Sequence, residues 1–140
     1  MELQIGKDEF QTALYRAQGI VEKKSTMPIL ASVLLEATED GKLRVSAFDL
    51  EIGVHTTHPA EIRKPGAVAL KHKELYDIVR ALPERNLVLK REANNRVKLT
   101  SGAAEFNLVG QAAEDYPPFP RTGSDKLTPI NSGPRVINVQ

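Results

Sequence analysis

The sequence has no cysteine, so neither a disulfide framework nor a thiolate metal centre is open to it, and the composition fits a reducing compartment. It also lacks any long apolar run. No stretch approaches the roughly 18 uncharged apolar residues of a spanning helix, and the opening MELQIGKDEF mixes charges with its apolar residues, unlike a secretory leader. A soluble, cytoplasmic protein without membrane association is therefore expected. Charge of one sign is missing too: 19 Lys and Arg face 18 Asp and Glu, a formal net charge of +1. The whole-chain electrostatic footprint of a tight nucleic-acid binder is absent, so any such role must rest on local charge. No glycine-rich nucleotide motif appears. What is present is 140 residues with 41% hydrophobic side chains, enough for one compact core and a single domain.

The hydrophobic pattern is repeated. Residues 2 to 6 alternate as a short strand, and Phe10, Ala13, Leu14, Ala17, Ile20 and Val21 then mark one face of a helix from about Lys7 to Glu22. Strand patterns follow at about 29 to 37, 42 to 48 and 51 to 57, with the first two joined by EDGK, where Gly41 accepts the positive φ of a hairpin turn. In the second half AVALK reads as a strand, and Leu75, Ile78, Val79 and Leu82 form a helical stripe that stops at Pro83. No good N-cap precedes that helix. Strands at about 86 to 92, 96 to 100 and 104 to 110 complete the half, with turns at EANNR and TSGA.

Adding 65 to Leu3, Ile5, Phe10, Ala13, Leu14 and Ala17 lands on Val68, Leu70, Leu75, Ile78, Val79 and Leu82, all apolar. Adding 54 to Val33, Leu35, Leu43, Val45, Ile52 and Val54 lands on Leu87, Leu89, Val97, Leu99, Phe106 and Leu108. The unit is βαβββ, present twice, and the drop of 11 in offset places an insertion after the first helix: additional helix, then the loop holding EKKSTMP. Each unit has one apolar helical stripe and alternating strands, and neither layer buries its face alone. The expected fold is α+β, with two helices side by side on one face, backed by antiparallel sheet, and their polar faces turned the same way.

Chemistry-bearing residues are few. Asp49 and Glu51 in FDLEIG would share one side of a strand and invite an acid–base reading, but no nucleophile or phosphate loop accompanies them. His55 and His58, three apart in a strand, point to opposite faces and do not share a metal; His72 opens a helix alone. No metal, cofactor or catalytic residue is expected.

In order and spacing over residues 1 to 120, the opening strand and helix, TMPIL (26 to 30), FDLEIGV (48 to 54), ELYDIVRALPE (74 to 84), EFNLVG (105 to 110) and EDYPPFP (114 to 120) resemble the first domain of the bacterial replicative sliding clamp, the beta subunit of DNA polymerase III. The resemblance implies a DNA-clamp fold and a non-catalytic processivity factor. In that family three such domains form a subunit, and two subunits close head to tail into a ring around double-stranded DNA, bound without regard to sequence. The implied partners are other clamp subunits, DNA polymerase III and the clamp loader. A topological tether needs only weak phosphate contact, which accommodates a net charge near zero.

The resemblance also assigns residues. Lys24, with Lys23 before it, occupies a loop-tip position that touches DNA; the plainer reading is two solvated lysines at the negative end of the first helix. Lys73 and Arg80, two turns apart on the second helix, would face the hole, although Glu74 and Asp77 sit beside them; Arg16 lies at the edge of the first helix's polar side. Phe106, Leu108 and Ile78 match an apolar subunit contact. Leu82 matches it too, but its periodicity places it in the core. Glu74 stands where the family often has a basic residue.

Residues 121 to 140 read as a linker or atypical tail: 121 to 134 are rich in Gly, Ser, Thr, Asn and Pro, and only RVINVQ alternates like a strand. They do not resemble the family's second domain, so the groove for partner peptides, which lies in the later domains, is not expected here. A lone domain is not expected to clamp DNA efficiently. The alternative is a stand-alone interaction module that binds a full clamp or clamp loader. In either case Phe106 and Leu108 are expected on an exposed sheet edge, paired with another copy or with the tail segment Val136 to Val139.

Overall fold

The computed structural model describes residues 1–21, 27–83 and 85–117, and the backbone of 135–139. Its elements are β1 (Glu2–Gly6), α1 (Lys7–Val21), β2 (Ser32–Thr38), β3 (Lys42–Phe48), β4 (Ile52–Pro59), β5 (Glu61–Lys64), β6 (Gly66–Lys71), α2 (His72–Ala81), β7 (Asn86–Arg91), β8 (Arg96–Ser101), β9 (Ala104–Val109), β10 (Gln111–Ala112) and β11 (Arg135–Val139). The duplicated βαβββ unit is present. α1 has 15 residues and α2 has 10, so part of the insertion is indeed helix. A short 3-10 turn, Pro28–Ala31, occupies the start of what the sequence pattern assigns to a strand.

The two repeats exchange their first strands. A five-stranded sheet runs β5-β1-β7-β8-β9 and a six-stranded sheet runs β10-β6-β2-β3-β4-β11, so each sheet joins the opening strand of one repeat to three strands of the other. Registers match across the repeats: Leu3 faces Leu89 and Ile5 faces Leu87, while Val68 faces Leu35 and Leu70 faces Val33. The offsets of 65 and 54 carry one set of pairs onto the other. They hold for the next pair, Leu35 with Val45 and Leu89 with Leu99.

The match slips at the third strand. Val45 faces Thr56, whereas Leu99 faces Phe106, so position 56 corresponds to 106 at an offset of 50 rather than 54. The first hairpin turns through Asp49–Glu51, with Leu50 at φ 78, and the second through the tighter turn at Gly102, with φ 56. Thr56 and His58, not Ile52 and Val54, therefore stand where the other repeat has Phe106 and Leu108.

One large core lies between the sheets and the helices. Leu3, Ile5, Phe10, Leu14, Leu35, Leu43, Leu70, Leu75, Leu87, Leu89 and Leu99 are almost fully buried in it. His72 ties the helices together, its Nε2–H donating to the Leu14 carbonyl at 2.7 Å. Lys7 donates through Nζ to the carbonyl of Leu82, just past the end of α2, where a cation suits the helix dipole. A second cluster covers the outer face of the six-stranded sheet: Ile29, Leu30, Phe48, Ala69 and Tyr116, with Leu34 partly buried beside them. It gathers the TMPIL, FDLEIGV and EDYPPFP segments into one clasp. Burial there pushes the Tyr116 phenol up to about 12, with the backbone of Phe48 holding it back.

Candidate nucleic-acid interface and sheet edge

The polar faces of α1 and α2 point away from the core, and their charges cancel. α1 carries Lys7 and Arg16 against Asp8 and Glu9; α2 carries Lys73 and Arg80 against Glu74 and Asp77. Lys73 and Arg80 are both exposed and are brought together through Asp77, which they contact at 3.2 and 3.6 Å. The Arg80 guanidinium also lies over the Tyr76 ring, 4.9 Å from its centroid, and Tyr76 in turn packs against His72. Stacking fixes the stem of Arg80 while the exposed ion pairs contribute under about 1 kcal/mol each. Separating Asp77 from either cation therefore costs little. Lys23 and Lys24 lie outside the described residues.

The resemblance groups Ile78, Leu82, Phe106 and Leu108 as a subunit contact, and in the structure all four belong to the main core or pack against it. Their exposure differs. Ile78 and Phe106 are half-buried and pack against the main core from its margin, whereas Leu82 is 4% and Leu108 3% exposed. The expectation of Leu108 on an exposed edge is thus corrected at the side chain. β9 does end the five-stranded sheet, but strand alternation turns Leu108 inward and presents its neighbour Val109, 68% exposed. What β9 offers at its free side is backbone, with Val109 as the apolar side chain that periodicity alone does not single out.

The expected pairing of the tail is corrected as well. Arg135–Val139 adds to β4, in parallel, from Arg135 opposite Ile52 to Val139 opposite Thr56, at the far end of the other sheet. Alternation identifies a strand but carries no information about which edge takes it.

Asp49 and Glu51 are not on a strand. Asp49 accepts hydrogen bonds through Oδ1 from the amides of Glu51 at 2.9 Å and Ile52 at 2.6 Å, and its own amide donates to the Ile52 carbonyl at 3.1 Å. The carboxylate is occupied in closing a turn, which is what an Asx residue does where the backbone reverses. His58 is buried, with Nδ1 2.5 Å from Glu9 Oε2 and Nε2 2.6 Å from Thr56 Oγ1. With its proton on Nδ1 both contacts are satisfied: Nδ1–H donates to Glu9, and the Thr56 hydroxyl donates to Nε2. This triad, which sequence spacing does not reveal because Glu9 is remote along the chain, fixes β4 to α1. Among the described residues no group of three or more His, Cys, Asp or Glu could hold a metal ion, and no helix is long and apolar enough to cross a membrane.

Residues 1–120 match the sequence model of the DNA polymerase III beta subunit, N-terminal domain. Curated relatives include the beta sliding clamps of Synechococcus elongatus, 29% identical over 133 residues covering 94% of this chain and 36% of the relative, and Streptomyces coelicolor, 31% identical over 121 residues covering 86% and 32%. Among solved structures, the DNA polymerase sliding clamp from Bacillus subtilis superposes with a TM-score of 0.83 at 27% identity, over 88% of this chain and 34% of that one. The sliding clamp from Caulobacter crescentus gives 0.80 at 33% identity, over 88% and 34%. The chain thus spans about a third of the length of the relatives it matches.

Proposed function

The chain belongs to the family of DNA polymerase III beta subunit N-terminal domains, and from that premise we propose that it supplies one domain of a ring that encircles duplex DNA and tethers a replicative polymerase. The reading is of a non-catalytic, cytoplasmic processivity factor, in which residues 1–120 form the clamp domain and 121–140 a linker or tail. Its partners are further clamp subunits joined head to tail, DNA polymerase III and the clamp loader. The observation that carries this reading is the family match over 1–120 together with a pair of sheet-backed helices whose outward charges balance. A ring that must slide gains from such a face, because each firm phosphate contact adds affinity that resists movement.

Within this reading Lys23, Lys24, Lys73 and Arg80 touch phosphates. Ile78 and Phe106 form the accessible part of the subunit contact, and Leu82 and Leu108 support it from the core. Neutralising the four basic residues in the assembled ring should lower affinity for duplex DNA and flatten the salt dependence by about 0.9 in slope for each phosphate left without its cation. An unchanged slope, measured by titration at several salt concentrations, would refute the assignment. A second reading, favoured by the β9 edge, which has no strand on its outer side among the described residues, is an interaction module that joins a full clamp or clamp loader and touches DNA little. Light scattering separates them: a ring of copies of this chain supports clamping, and a mixed complex with a full clamp supports the module.

A further inference from the structure

α2 carries a column of flat groups. His72, Tyr76 and Arg80 follow one another at intervals of four residues, so their side chains lie one above the next on one face of the helix. His72 is buried and anchored to the Leu14 carbonyl at 2.7 Å, its ring centroid lies 5.3 Å from that of Tyr76, and the Arg80 guanidinium caps the column 4.9 Å above Tyr76. The column thus runs from the core to solvent, where the Arg80 side chain is 54% exposed. Beside it, a cleft of about 460 Å³ opens between Gln18 and Val21 of α1 and His72, Lys73, Tyr76 and Arg80 of α2. A second cleft, of about 310 Å³, meets the first at Tyr76 and is walled by Thr12 and Tyr15 of α1. Tyr15 is 64% exposed and stands outside the core clusters. Charge alone does not account for the pair of clefts: Lys73 and Arg80 share the first with Asp77, and the charged side chain of the second is Asp8. What they present is planes, with cations at one end.

We propose, building on the reading of this helical face as a DNA surface, that the groove between α1 and α2 takes an unpaired strand: one base stacks on the outer face of Arg80, Lys73 meets its phosphate, and a base further along lies on Tyr15. Every base has a π-face, so stacking on a guanidinium plane and on an aromatic ring tolerates any sequence. Bases inside a duplex already stack on one another and offer the protein only their edges, so such a platform serves a strand whose bases are free. Arg80 is held in place by Tyr76 before a ligand arrives, which reduces the ordering that binding must impose. Lys73 stands seven residues ahead of Arg80, a rise of about 10 Å along the helix, and its flexible stem reaches back toward a phosphate attached to the stacked nucleotide. Asp77 contacts both cations through exposed ion pairs, which open at little cost. Phosphate attraction by itself favours the duplex, whose charge is the denser. A preference for the single strand therefore marks stacking.

Two probes test this with the whole 140-residue chain at low salt: a DNA strand of about ten nucleotides carrying one 2-aminopurine, whose emission falls when that base stacks, and a blunt duplex of the same length. The strand should be quenched and should bind about tenfold more tightly than the duplex. Arg80→Lys keeps the charge and removes the plane. It should weaken strand binding about tenfold while leaving duplex binding within about twofold, because the phosphate attraction is retained. Tyr15→Ala should also weaken strand binding about tenfold, and Tyr15→Phe should restore it. Both side chains are exposed, so the urea midpoints of all three variants should stay where they are in the unmodified chain. Duplex binding without quenching of the strand, or Arg80→Lys and Tyr15→Ala proteins that bind the strand as the unmodified chain does, would overturn the proposal and leave the wider DNA reading standing. Binding of neither probe would overturn both.

Discussion

β4 and β9 occupy the same place in the two repeats and have diverged in opposite directions. Toward the core, β4 presents Thr56 and His58, held by Glu9 from α1; β9 presents Phe106 and Leu108. At the outer side, β4 carries β11 and β9 carries nothing described. A duplicated unit with two identical return strands would pair with itself in symmetric fashion. Making one inward column polar and the other apolar gives the two return strands different identities, so the two positions are not interchangeable.

Substitutions that erase the difference test it. The largest effect should come from Leu108→Ala, which opens a cavity in the apolar column and should cost about 3 kcal/mol in urea denaturation; a loss below about 1 kcal/mol would mean that β9 is not packed as described. The outer clasp, found on the β4 sheet, should show next. The folded Tyr116 phenol sits near 12, above its ordinary 10, so the folded state holds that proton more tightly. Its contribution is complete below pH 10 and is lost as pH rises through 12, by about 2 to 3 kcal/mol. Tyr116→Phe should remove that loss, and matching alkaline stability curves for the two proteins would count against the clasp.

Converting β4 toward β9 should do less. His58→Leu leaves the buried Thr56 hydroxyl without its partner and should cost about 1 to 2 kcal/mol, whereas His58→Leu with Thr56→Val replaces both partners and should recover most of it. If the double substitution is worse than the single, the polar column is doing more than bracing β4 on α1. The smallest effect belongs to the exposed helix pairs: Asp77→Ala should change stability by under about 0.5 kcal/mol while leaving Lys73 and Arg80 freer to meet a phosphate. Stronger duplex binding by that variant at low salt would link the charge balance of the helices to weak contact.

Much of this is legible from periodicity. The strand at 42 to 48 has the bounds the pattern assigns, α1 begins at the expected Lys7 and is described to Val21, and the offsets of 65 and 54 survive as hydrogen-bond registers. The third strand escapes for a definite reason. A slip of four is even, so it leaves inward and outward positions unchanged, and apolar matching then prefers Ile52 and Val54 over the Thr56 and His58 that hold the equivalent places. Similar chemistry does not mark equivalent position there. β5 is unreadable because EIRK offers a single apolar residue. The exchange of β1 and β6 between repeats, the edge chosen by β11 and the Glu9–His58 contact are all long-range choices, and local pattern does not encode which distant strand or side chain arrives. Of the candidate site, periodicity places Leu82 and Leu108 in the core, where the structure has them, but does not say that the neighbouring Val109 is 68% exposed.

The crossing-over of opening strands also governs how the chain comes into being. Leu3, made 86 residues ahead of Leu89, waits for it before β1 has its β7 neighbour. The hairpins β2–β3–β4 and β7–β8–β9 can form early from local contacts, but closing the five-stranded sheet requires bringing together residues separated by most of the domain. Either half released alone would lack one strand of its own sheet and leave its opening strand with only a short neighbour, β5 for β1 and β10 for β6. The two repeats therefore close into their sheets together, once β7 to β9 have been made.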